Sequence, residues 1–253
     1  MYQICCITAA AKKALKEKST LSYNPLKYEN RIEFQFLPEK KLFSTQKYKA
    51  ENVMAWYTYC LKKGMNDLKF LAPIAVKDRG ILGFSNTTQS SITCFYKGGK
   101  VTYFTAQWEF DSAQNMWNVL YTENEWEDAP TEKLHFENNI DKFKSVLFKI
   151  KELAHKIDCD DFAVIFQKAL DILGGSSDYT DTVFHMQLPE IPEENLHLFE
   201  AASTADVFGA MGSWNDSPPY MAHEKGLDKE YEELSSELLK QVRLATLYAI
   251  NEW

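Results

Sequence analysis

Apolar and polar positions alternate along much of the first half of the chain, and in the second half apolar residues recur every three or four positions. Period two is the signature of a half-buried strand, and a three/four spacing that of an amphipathic helix. Ile32, Phe34 and Phe36 alternate with Glu33 and Gln35, which predicts a strand with one wet face. Ile92, Cys94 and Tyr96 begin a second alternating run. Lys97-Gly98-Gly99-Lys100 then supplies a glycine turn of the kind that closes hairpins. Thr102 to Phe110 and Trp117 to Tyr121 carry the alternation onward, so an antiparallel meander is expected over residues 91–123. Shorter helices are expected at Thr8–Lys18 and Ala50–Lys63, and an edge strand or loop at Leu68–Val76, around Pro73.

Beyond Pro130 the period changes. Ile140, Phe143, Leu147, Ile150, Ala154 and Ile157 form one stripe, and Phe162 to Leu173 a second that starts at Asp160 or Asp161 and stops at Gly174-Gly175. Pro192 suits the first residue of a third helix holding Leu196, Phe199, Ser203 and Val207. A last helix is expected over about 227–251. Strands first and helices last give an α+β class. The expected architecture is an N-terminal antiparallel β-meander with short helices, packed against a C-terminal layer of about four α-helices. One domain over 1–253 is expected; if it divides, it divides into a mainly β part, 1–129, and a helical part, 130–253.

Composition adds the function classes to exclude. With 45% hydrophobic residues, 10 Gly and 8 Pro, the 253-residue chain is neither disordered nor low in complexity. Lys12 and Lys13 follow the apolar start instead of preceding it, so no secretory signal is expected. No run reaches the ~18 apolar residues of a membrane helix. Five cysteines without a C-x-x-C fit reduced thiols and a cytoplasmic location. Charge is uneven: residues 1–100 hold 17 Lys and Arg against 7 Asp and Glu, and residues 101–253 hold 11 against 29. Such halves either dock on one another or present two charged surfaces.

Dinucleotide, P-loop, zincin and nucleophile-elbow motifs are absent. Three Glu-x-x-His pairs occur, Glu132/His135, Glu152/His155 and Glu194/His197, the spacing by which di-iron bundles hold metal. The latter two pairs fall off the apolar stripes of their helices, so a solvated face is expected, and no metal or cofactor. His185 follows Asp178, Tyr179 and Asp181 in a polar loop, where Asp181 and His185 are candidate binding groups. The other candidate loop runs from Gly209 to Tyr220. Its glycines, prolines and aromatics are the mixture of a binding loop on a rigid scaffold. Gly212, Trp214, Asn215, Asp216 and Tyr220 are its candidate residues. In the alternative, Trp214 plugs the core while Asn215, Asp216 and Ser217 satisfy backbone groups.

The first hundred residues interleave lysines with aromatics, as nucleic-acid surfaces do, but only Arg31 and Arg79 supply the guanidinium that reads bases. The foremost expectation is therefore a non-enzymatic protein that binds another protein, a basic one by preference, through its acidic half. In size, charge and lack of catalytic motifs it is similar in overall character to acidic immunity or antitoxin-type proteins of bacteria, with no matching residue. Two other readings stay open: an enzyme with a small or phosphorylated substrate in a cleft between sheet and helices, and low-specificity nucleic-acid binding through residues 1–100. No membrane partner is expected.

Overall fold

The computed structural model describes residues 1–41, 44–46, 48–75, 79–83, 89–130, 132–175 and 188–253. The chain forms two compact units. The first takes in the described residues of Met1–Ala72, Thr88–Leu134 and His185–Glu190; the second takes in those of Pro73–Thr87, His135–Phe184 and Ile191–Trp253.

The first unit is built on a six-stranded sheet. Its strands are β1 (Glu29–Gln35), β4 (Lys49–Ala50), β5 (Met65–Leu71), β6 (Ser91–Tyr96), β7 (Val101–Asp111) and β8 (Met116–Glu125), in the order β4-β1-β8-β7-β6-β5. The short strands β2 (Glu39–Lys41) and β3 (Ser44–Gln46) pair separately. The expected meander is β6-β7-β8, with Ile92 facing Phe104 and Ala106 facing Tyr121. Gly98 and Gly99 both take positive φ, +89° and +83°, which the turn between β6 and β7 requires. The sheet is nevertheless mixed, not wholly antiparallel. β1 lies parallel to β8, with Ile32 beside Val119 and Phe34 beside Tyr121. Alternation fixes which face of β1 is buried, but it reads the same in either strand direction. The edge strand expected near Leu68 is β5, and Pro73 lies just past its end.

Helices α1 (Tyr2–Glu17) and α2 (Val53–Lys62) pack on this sheet. α1 starts six residues before its expected first residue. Its first turns, Gln3 to Ala11, are buried on all sides, so no 3.6-residue stripe marks them. Fully buried Trp56 of α2 stacks on Phe34 at 4.8 Å between ring centroids, and Phe34 stacks on Tyr121 at 4.7 Å. Two buried carboxylates lie in this unit. Glu29 accepts hydrogen bonds from Leu26 N (2.8 Å), Gln3 Nε2 (2.9 Å) and Tyr23 Oη (3.1 Å). Glu123 accepts from Leu37 N (2.9 Å) and Thr102 Oγ1 (2.8 Å).

The second unit is helical. It holds a 3-10 turn (Arg79–Gly83), α3 (Ile140–Lys156), α4 (Asp160–Leu173), α5 (Glu193–Thr204), the short α6 (Pro218–Glu224) and α7 (Asp228–Asn251). α3 packs on α4, α4 on α5, α5 on α7 and α7 on α3, so the four long helices close a ring around one core. Asparagine side chains tie two of them to α7: Asn139 Nδ2 donates to Gln241 Oε1 (2.7 Å) and Asn195 Nδ2 to Ala249 O (3.2 Å). Among the described residues no helix is long and apolar enough to cross a membrane.

Candidate functional site

The loop between α5 and α6 is held from below by Trp214. The indole is fully buried and its Nε1 donates to Ser235 Oγ of α7 at 2.8 Å. The Trp214 carbonyl accepts from Tyr231 Oη, and the Trp214 amide donates to Val207 O at 3.0 Å. Phe162 and Phe166 of α4 meet the indole edge-on at 5.1 and 5.3 Å, while Tyr231 stacks on it at 5.5 Å. A large ring with one polar atom fits this place because its single donor finds a partner where water is excluded.

The other candidate residues of the loop fasten it. Asp216 Oδ2 accepts from Gly212 N at 2.7 Å. Asn215 Nδ2 donates to the carbonyl of Arg79 at 3.0 Å. Arg79 grips Glu232 of α7 with two parallel bonds, Nη1 to Oε1 at 2.9 Å and Nη2 to Oε2 at 2.8 Å, and donates to Ser236 Oγ at 2.7 Å. The fork geometry suits a guanidinium and a carboxylate. It holds the Glu232 carboxyl below its ordinary value. Tyr220 is exposed at the start of α6. Asp181 and His185 lie outside the described residues.

Above this support lies an open groove of about 570 Å³. Phe162, Ile165 and Lys168 of α4 form its floor, at the three-residue spacing that shares a helix face. Ser203 and Thr204 of α5 and the loop from Asp206 to Ser213 form its wall. Trp214 is not part of the lining; it buttresses Phe162, which is. The wall's most exposed apolar side chain is Met211, at 94% of its full accessibility. The sequence pattern singled out this loop but passed over Met211, because burial there is set by the turn geometry and not by any periodicity.

Asp206 is the acid among the lining residues, and the stretch that supplies the wall is acidic in sequence. From Ala169 to Glu224 there is no Lys or Arg, while ten Asp and Glu occur. The second unit as a whole carries 12 Lys and Arg against 22 Asp and Glu.

The Glu-x-x-His pairs do not converge. His135 Nδ1 lies 2.8 Å from Glu252, His155 Nδ1 2.6 Å from Asp160, and His197 Nε2 3.8 Å from Glu193. Glu194 accepts from Asn138. Among the described residues no group of three or more His, Cys, Asp or Glu is disposed to hold a metal ion. The cysteines are free thiols, and burial pushes Cys6 up to about 12, which makes it a poor nucleophile. Compared with protein-family models, with curated proteins and with solved structures, the chain finds no significant match.

Proposed function

We propose that this chain is a non-catalytic protein-recognition module whose groove between α4 and the α5–α6 loop takes an apolar side chain of a partner polypeptide flanked by lysine or arginine. The observation that carries this reading is the combination of a floor that offers Phe162 and Ile165 beside Lys168 with a wall drawn from a stretch free of cations. A volume of about 570 Å³ lies within the range of ligand-binding clefts. A desolvated pocket that seats one anchor side chain is where binding energy concentrates. Methionine at the rim suits partners of varied shape, since its thioether is soft and its chain unbranched. The acidic excess of the second unit steers a basic segment in and repels a phosphate backbone, which favours a polypeptide over nucleic acid. An inhibitor or immunity-type protein facing a basic partner has this kind of surface.

Peptide display on the immobilised full chain tests the reading. Enriched peptides are expected to share a large apolar residue with Lys or Arg beside it, and to lose binding to an Ile165→Asp variant shown by circular dichroism to be folded. Enrichment of acidic peptides, or ligands indifferent to Ile165→Asp, overturns it.

A further inference from the structure

Met211 opens the groove to a second kind of chemistry. Residues 210–213 form a tight turn in which Ser213 N donates to Ala210 O at 3.1 Å. Gly212, third in the turn, takes φ +77°, a position that glycine fills without strain. Met211 is second in the turn and stands outward. Its neighbours Gly209, Ala210, Gly212 and Ser213 are too small to screen its thioether. Among the described methionines, its 94% exposure exceeds that of Met54, at 48%, whereas Met65 is buried and Met1, Met116 and Met221 are half-buried. Oxidant access to methionine sulfur follows exposure. Met211 also lines the groove, so a change at its sulfur is a change in the binding surface.

We propose that Met211 is a reversible oxidation site whose sulfoxide closes the groove to its apolar ligand; this rests on the recognition reading above. The oxidant is a hydroperoxide. A lone pair of Met211 Sδ attacks one peroxide oxygen, an S–O bond forms and the O–O bond breaks. The departing oxygen takes up the proton and leaves as water, or as an alcohol from an organic peroxide. Sulfur loses two electrons and the peroxide gains them. The product carries a strong acceptor oxygen in place of a soft apolar atom. Burying that oxygen under an apolar side chain leaves it without a hydrogen-bond partner. Sulfoxide reductases reverse the step.

Graded hydrogen peroxide treatment of the full chain, followed by mass-spectrometric peptide mapping, measures the first half. Met211 is expected to convert before Met54 and the other described methionines. Fluorescence anisotropy with a fluorescein-labelled Leu/Lys peptide measures the second half. Oxidation is expected to weaken binding about tenfold, the scale of one unsatisfied buried polar group. Methionine sulfoxide reductase restores it, and Met211→Leu binds the peptide but ignores peroxide. Earlier oxidation of Met54 or another of the described methionines overturns the proposal, and so does equal peroxide sensitivity in Met211→Leu. Peptide binding that survives full conversion of Met211 sinks the gating alone and leaves the recognition reading standing. A peptide that never binds the untreated chain sinks both.

Discussion

Trp214 carries the groove without touching its ligand space. Deleting a fully buried indole removes its own packing and the ring on which Phe162 rests. Trp214→Ala is expected to lower unfolding free energy by about 3–5 kcal/mol in urea titration, the usual result for a large core side chain. Ser235→Ala is subtler: it strands the indole N–H, for about 1–3 kcal/mol. Had Trp214 been a contact anchor on the surface, both changes would leave stability nearly untouched, so the pair of measurements separates the roles. Glu29 gives a residue-scale pH effect. Burial raises its carboxyl above the ordinary 4.5, although three donors oppose the shift. A raised folded value means that the native state holds its proton longer than the unfolded chain. Stability is therefore full below about 4.5 and falls as pH rises through the raised value. Denaturation midpoints across that range are expected to show the fall in wild type and to lose it in Glu29→Gln.

Two corners of the helical unit share one construction at the scale of elements. His155 lies in the last turn of α3 and Asp160 begins α4; His223 lies in the last turn of α6 and Asp228 begins α7, their Nδ1 and Oδ1 atoms 2.6 and 2.8 Å apart. Each corner turns through a positive-φ residue, Asp158 at +56° and Gly226 at +68°. Each then lends a lysine to the other: Lys156 pairs with Glu230 at 2.9 Å and Lys225 with Asp158 at 2.7 Å. Imidazolium at a helix C-terminus and carboxylate at an N-terminus are both favoured by the backbone dipoles. Hydrogen bonding to Asp228 raises His223 above 6.5, and Asp228 is lowered below 3.8 by the same bond. The His223 share of stability is complete below 6.5 and is lost as pH rises through its raised value. The Asp228 share is complete above 3.8 and is lost as pH falls through its lowered value. Proton NMR of the His223 ring should give a midpoint above 6.5 that drops in Asp228→Asn; an unmoved midpoint would show that the pair is not formed in solution. At the start of α2, Asn52 Oδ1 accepts from Ala55 N at 2.8 Å, and Asn52→Ala is expected to remove about 1 kcal/mol in thermal or urea unfolding.

Charge acts at the scale of the whole molecule. The first unit carries 16 Lys and Arg against 14 Asp and Glu, and the second holds the whole of the acidic excess. The +10 balance of residues 1–100 is thus almost cancelled within its own unit, whose later strands bring in Glu109, Asp111, Glu123 and Glu125. A ligand of the groove should feel the second unit's field. Binding of a Leu/Lys peptide is expected to weaken as salt rises from about 0.01 M to 1 M, over which the Debye length falls from about 30 Å to about 3 Å. It should then level off at the apolar contribution, whereas a purely electrostatic contact would continue to vanish.

Periodicity along the chain determined what local physics can determine. The glycine turn at Gly98-Gly99, the alternation in β7 and β8, and the stripes of α3, α4 and α7 each follow from contacts within a few residues or from the need to bury one face. Where burial is all round, as at Gln3 to Ala11, no stripe exists to be read. Strand direction escaped for a related reason: Ile32, Phe34 and Phe36 alternate alike whether β8 runs with them or against them, and only the route of the chain between the two decides. The candidate loop was legible from its glycines, prolines and tryptophan. Which of its side chains faces water was not, because that depends on where α4 and α7 place Phe162, Ser235 and Tyr231. Those residues drew Trp214 inward and left Met211 on the rim, a choice made by partners distant in sequence.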